Sequence, residues 1–220
     1  MPGTENKQND IKPELRERII AAALKSFTMN GIKSVTMDHI ASDLGISKRT
    51  LYEMFEDKET LLLACVQLQI EEKEKFEIKV LSETDNALQV ILILYKTYIE
   101  IFYKINKRFF EDLSKYPKVK ELLSNKLDKN RTKAIDFFKK GTEQGLFRDD
   151  IDFEIVYFLL HKQVEFLINS DMLKSYSLVE VYELIMFTFL RGISTNRGQQ
   201  ILEEFISEYR KQNINQSGQI

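Results

Sequence analysis

Between Thr36 and Lys58 the chain reads Thr-Met-Asp-His-Ile-Ala-Ser-Asp-Leu-Gly-Ile-Ser-Lys-Arg-Thr-Leu-Tyr-Glu-Met-Phe-Glu-Asp-Lys, and few folds accept that order of residue types. Two short helices that cross steeply need a small residue at the contact, a turn residue that tolerates positive φ, and apolar residues pinning one helix to the other. Ala41 is the small residue, Gly45 makes the turn, and Ile40, Leu44, Ile46, Leu51 and Met54 are the pins. Thr36 and Ser47 stand where the two helices need N-caps, and Asp57 stands before a third. The stretch therefore predicts a helix-turn-helix.

The rest of the chain permits little but helix. Only 8 Gly and 3 Pro interrupt 220 residues, which disfavours strand-and-turn architectures. An all-α fold is expected. Pro13 offers a preset φ for a first helical turn, and Leu15, Ile19, Ala22, Ala23 and Phe27 form one apolar stripe before Asn30-Gly31 stops it. A long helix follows Asp57, with a charged, solvated run at Glu71–Lys75 and a polar break at Ser82–Asp85. Further helices are expected over Ala87–Ile105, within Asn106–Lys115, from Pro117 to a stop at Gly141 and Gly145, over Phe153–Ile168 and Leu178–Ile193, and finally over Gly198–Arg210. Residues 1–12 and 212–220 are polar and expected to be disordered tails.

Composition removes several function classes. His39 and His161 are the only histidines and Cys65 the only cysteine, with no Glu-x-x-His or His-x-x-x-His spacing. No glycine-rich phosphate loop is present, and paired carboxylates occur only in charged surface runs. No catalytic residue, metal or cofactor is expected. A lone cysteine and the absence of a membrane-length apolar run fit a cytoplasmic protein. The net charge of -2 gives no global signature of a nucleic-acid partner, so any such role rests on where the cations are placed.

The run Thr-x-x-x-Ile-Ala-x-x-Leu-Gly-Ile-Ser-Lys-Arg-Thr-Leu-Tyr-x-x-Phe-x-x-Lys-Glu-x-Leu from Thr36 to Leu61, behind an amphipathic helix ending in Asn-Gly, resembles the DNA-binding domain of the tetracycline-repressor (TetR) family. The resemblance implies a helix-turn-helix domain over residues 13–58 and a helical ligand-binding and dimerisation domain over residues 59–211. It implies a regulator, in the family's commoner mode a repressor, that binds an inverted repeat of double-stranded DNA as a homodimer and is released by a small, largely apolar effector.

Carried over by position, the family's scheme puts the second helix of the motif in the major groove. The local chemistry agrees: Lys48 and Arg49 can donate to guanine edges or phosphates, Thr50 can meet a thymine methyl, and the Tyr52 hydroxyl can reach the backbone. Thr36, Ser47 and Lys58 lie at helix N-termini that favour phosphate. A second reading is a helical binding or scaffolding protein whose helix-turn-helix docks on another protein.

The resemblance also implies a pocket, for which the aromatic candidates are Tyr98, Phe102, Tyr103, Phe109, Phe110 and Phe137, although aromatics at helical spacing are more often core. Phe153–Ile168 and Leu178–Ile193 are apolar around most of their circumference, so one face of each needs a cover that the chain does not supply. Phe158, His161, Glu165, Leu184, Phe187 and Arg191 are the expected interface positions of a four-helix contact between two copies.

Overall fold

The computed structural model describes the backbone of residues 5–113, 115–169 and 172–217, and the side chains of residues 13–113, 115–126, 129–160, 162, 163, 166, 172 and 175–211. The described residues form eleven α-helices and no strand: α1 Glu5–Asn30, α2 Met37–Asp43, α3 Lys48–Met54, α4 Lys58–Glu83, α5 Ala87–Lys104, α6 Lys107–Leu113, α7 Pro117–Glu143, α8 Phe153–Asn169, α9 Met172–Ser175, α10 Leu178–Ile193 and α11 Asn196–Ser217. Among the described residues an antiparallel bridge joins Phe147 to Ser194. The all-α expectation holds.

Three helix ends differ from the sequence reading. The backbone is already helical at Glu5, with Pro13 inside α1 rather than at its first turn. Between Glu5 and Pro13 there is no glycine to stop a helix, so the backbone continues upstream at the loss of the hydrogen bond that Pro13 cannot donate. At the other end α11 continues through the Asn/Gln-rich segment to Ser217, just before Gly218. Residues 1–4 and 218–220 of the two expected tails lie outside the described residues. The third difference is Gly141, which lies inside α7; the helix ends only at Gly145, with φ of +68°. What Gly141 supplies is closeness, since a Cβ there would sit 2.2 Å from the Phe147 ring.

The chain divides into two units, each with its own core. The first contains the residues up to Glu74 together with Tyr103–Lys126. Its core joins Ile19, Ala23 and Phe27 of α1 to Ile40 and Ala41 of α2, Leu51 of α3, Leu61, Leu62 and Cys65 of α4, and Phe109 and Leu113 of α6. Phe27, Leu51, Leu61 and Leu62 are fully buried, and each such side chain contributes roughly 1.5–3 kcal/mol of apolar burial. Cys65 is part of this core, and burial pushes its thiol up to about 12, so it is a packing residue and not a nucleophile.

The second unit contains Lys75–Phe102 and the residues from 127 onward. Leu88, Leu92, Tyr95 and Ile99 of α5 pack with Phe138 of α7, Phe153 of α8, Phe187, Leu190 and Ile193 of α10, and Leu202, Ile206 and Tyr209 of α11. Rings interlock through this core. Tyr95 lies 4.9 Å from Phe187, and Phe138 stacks on Phe153 at 5.1 Å. The start of α10 is fixed by a capping box in which the Ser177 hydroxyl accepts from the Glu180 N–H and the Glu180 carboxylate accepts from the Ser177 N–H.

Candidate nucleic-acid interface

Helix α2 begins because Thr36 is extended and its Oγ1 accepts the His39 N–H at 3.1 Å. It ends in a Schellman motif: Gly45 has φ of +65°, its N–H reaches the Ser42 carbonyl at 3.1 Å, and the Ile46 N–H reaches the Ala41 carbonyl at 3.0 Å. Two residues later Ser47 caps α3 by accepting the Thr50 N–H at 3.0 Å. The crossing of the two helices is thus set by backbone hydrogen bonds and by the buried side chains of Ile40, Ala41 and Leu51.

That packing leaves one face of α3 outward. Lys48, Arg49, Tyr52 and Glu53 are exposed, as are Thr36 and Ser47, while Thr50 is half-buried with its hydroxyl 2.8 Å from that of Ser47. Six of the seven residues expected to meet DNA therefore lie together around the motif. Tyr52 is 49% exposed although aromatic, and no apolar neighbour in the core claims it.

Lys58 is the exception. Its ammonium turns inward and donates to the carbonyls of Ile32 and Val35, both at 2.9 Å, which accounts for two of its three N–H donors. Partial burial lowers its proton affinity, opposed by the charge of Asp112. In this geometry Lys58 closes the turn between α1 and α2, because that turn has carbonyls that no helix satisfies. The sequence reading missed Asp112 altogether. This buried carboxylate on α6 accepts the Lys33 N–H at 2.7 Å and the Lys115 ammonium at 2.6 Å. Burial opposes its charge, but the bonds from Lys115 and the Lys33 backbone outweigh burial and hold the carboxyl below the ordinary range. Asn106 adds two more links, its backbone N–H to the Thr28 carbonyl and its amide to the Met29 carbonyl. No spacing rule connects residues 79 positions apart, as Lys33 and Asp112 are, so only the fold reveals this clasp.

The two cations expected in the groove are occupied. Lys48 pairs with Asp38 across the two helices, and the Arg49 Nε donates to Glu53 Oε1 at 2.8 Å. Hydrogen bonding to these carboxylates, with their charge, holds both cations above their ordinary proton affinities. His39 lies 3.4 Å from Asp43. The Arg49–Glu53 pair needs only the i,i+4 spacing of one helix, whereas the Lys48–Asp38 pair depends on the helix crossing.

The expected pocket aromatics are divided between the two units. Phe109 and Phe110 belong to the first unit, where they meet edge-on at 5.5 Å. Tyr103 is 66% exposed. Tyr98, Phe102 and Phe137 are in the second unit: the Tyr98 hydroxyl donates to Glu77 at 2.8 Å, Phe102 meets Tyr182 edge-on at 5.4 Å, and Phe137 lies beside Phe138.

The expected interface positions divide similarly. Phe158 and Leu184 are exposed, with Ile155, Leu159 and Phe166 exposed on α8 beside them in sequence. An open apolar groove of about 400 Å³ is lined by Val156, Leu159 and Leu160 of α8 and Leu184, Ile185 and Phe189 of α10. Phe187 is corrected: it is buried in the chain's own core against Tyr95 rather than placed on the surface. Arg191 is held within the chain by Glu203 of α11, at 2.6 and 3.1 Å. The side chains of His161 and Glu165 lie outside the described residues.

Residues 19–65 match the family model of bacterial regulatory proteins, tetR family. Over 57 residues the chain is 40% identical to the helix-turn-helix-type transcriptional regulator YerO of Bacillus subtilis, a stretch that is 26% of this chain and 20% of that protein's length. It is 21% identical over 151 residues to the helix-turn-helix-type transcriptional repressor KstR2 of Mycolicibacterium smegmatis, covering 64% of this chain and 72% of the repressor. Its fold matches that of a TetR-family transcriptional regulator from Marinobacter aquaeolei with a TM-score of 0.63 at 19% identity, over 87% of this chain and 97% of the other. These are names of regulators, not of enzymes. Among the described residues no helix is long and apolar enough to cross a membrane.

Proposed function

We propose, from the premise that this chain belongs to the tetR family of bacterial regulatory proteins, that it is a cytoplasmic, ligand-responsive repressor binding an inverted repeat of double-stranded DNA as a homodimer. One observation carries the DNA reading. Within the stretch that matches the family model, Ile40 and Ala41 of α2 and Leu51 of α3 are buried while Lys48, Arg49 and Tyr52 of α3 are exposed together.

An α-helix fits the major groove, where Arg49 or Lys48 meets guanine O6 and N7 and Tyr52 and Thr36 meet phosphate oxygens. Lys58 keeps its place in this scheme as a brace: it fixes the turn that carries Thr36, so the phosphate contact is made by the cap and not by the ammonium. A second copy joins through the exposed apolar side of α8 and α10, centred on Phe158, Leu159 and Leu184. Apolar surface of that extent is rare on a monomer, and a twofold contact would cover it on both copies at once. Two α3 helices spaced by about 34–36 Å, or a multiple, would then read two half-sites.

The effector reading rests on the aromatic interior of the second unit, where hydroxyls of Tyr95 and Tyr98 meet Glu183 and Glu77 among apolar rings. A small, largely apolar molecule with a polar end suits such surroundings. Release requires that it bind the two arrangements of the dimer unequally.

Fluorescence anisotropy of the full chain on a labelled duplex that the chain itself enriches from a randomised pool tests the DNA reading. Binding should weaken steeply as salt rises, and Arg49→Ala should weaken it at every salt concentration. Salt-independent binding, or an Arg49→Ala chain that binds like the original, contradicts it.

A further inference from the structure

Every basic side chain of α2 and α3 among the described residues faces a carboxylate. Between Met37 and Met54 the cations are Lys48 and Arg49, with His39 as a third basic group, and the acids are Asp38, Asp43 and Glu53. The structure pairs them one to one, Lys48 with Asp38, Arg49 with Glu53 and His39 with Asp43. All three pairs are exposed, and pairs of that kind add little to stability. Their effect is on what approaches. Phosphate oxygens only accept hydrogen bonds, and they repel a carboxylate, so a surface neutralised in this way has little attraction for the backbone of arbitrary DNA.

Glu53 is the one of the three acids that lies on α3 itself, one turn beyond Arg49 on the same outward face; Arg49 and Glu53 side chains are 89% and 61% exposed. Together they present a donor fork beside an acceptor. The major-groove edge of a G·C pair offers the complement, since guanine O6 and N7 accept and the cytosine N4 amino group donates. We propose that Glu53 is a specificity-determining residue, accepting from a cytosine N4 amino group beside the guanine that Arg49 reads. Where no such donor stands, Glu53 holds Arg49 back and is repelled by phosphate. This assignment rests on the DNA reading above.

The test uses the full chain and a pool of duplexes with a randomised central segment of about 30 base pairs, long enough for two half-sites one or two helical turns apart. The bound fraction is sequenced for the original protein, for Glu53→Gln and for Asp43→Asn. The original protein should enrich a cytosine at one position of each half-site. Glu53→Gln should lose that preference by roughly tenfold, shift it toward adenine, and bind mixed-sequence duplex more tightly, because glutamine reads adenine and no longer repels phosphate. Asp43→Asn removes the same charge without touching Arg49, and should keep the original pattern. An unchanged pattern in Glu53→Gln, or the same flattening in both variants, overturns the assignment of Glu53 and leaves the DNA reading standing. If the original protein enriches nothing and binds no duplex, the DNA reading fails and the assignment falls with it.

Discussion

Under the proposed reading Arg49 carries two demands that conflict, a strong contact to DNA and restraint toward the wrong DNA. Its guanidinium is paired with Glu53 in the free protein, so groove binding must either keep that pair or exchange it. A bidentate arginine–guanine contact is worth about 1–3 kcal/mol, and Arg49→Ala should lose about that much affinity, read by anisotropy, with an unchanged melting temperature because the side chain is exposed. Asp112 is the opposite kind of residue. It is buried, and its carboxylate fixes the turn between α1 and α2, so Asp112→Asn should cost about 1–3 kcal/mol of stability without touching the DNA face. Its carboxyl is held below the ordinary range, so the stabilisation is full above the unfolded value of about 3.9 and is lost as pH falls through the lower folded value. Melting curves below about pH 4 should therefore fall more steeply for the original protein than for Asp112→Asn. The caps at Thr36 and Ser47 and the outward position of Arg49 were legible in the sequence, because caps and helix faces follow local spacing. Asp112 and the inward turn of Lys58 were not, since both depend on contacts between distant segments.

At the scale of elements, two glycines show why a stop signal is ambiguous. Gly45 and Gly141 both precede a change of direction, but only Gly45 has positive φ. Nothing lies near a Cβ added at Gly45, so Gly45→Ala should cost about 1–2 kcal/mol from backbone strain alone, seen as a lower denaturation midpoint. At Gly141 the backbone is ordinary helix and the space is taken by Phe147; an alanine there must push the ring aside, at about 1–3 kcal/mol. Sequence gives the residue type in both cases and not which of the two properties is used. The same limit explains Phe187 and Leu184 on α10. A helix that is apolar around most of its circumference does not say which strip faces its own core, and the structure buries Phe187 while leaving Leu184 70% exposed.

For the whole molecule, the order of helices from α2 to α8, and α10 after them, was legible because apolar period, caps and breaks agree over most of the chain; the four residues of α9 were not, since one turn is too short to show a period. What binds to the finished surface is written less locally. If α8 and α10 meet a second copy, Phe158→Glu with Leu184→Glu should convert a species of twice 25.9 kDa into one of 25.9 kDa in sedimentation experiments, with the helical circular-dichroism signal retained. The same double variant should bind a two-half-site duplex far more weakly, because the second contact is no longer tethered to the first.

In the proposed dimer, the outward faces of two α3 helices, one from each copy, read an inverted repeat. Selection of bound duplexes from a randomised pool by the full chain tests it most directly. A dimeric reader should enrich two inverted half-sites whose centres lie about 10 base pairs or a multiple apart, with affinity that falls steeply as salt rises. A bound fraction with no enriched sequence, or enrichment of a single half-site at affinity indifferent to salt, would contradict it.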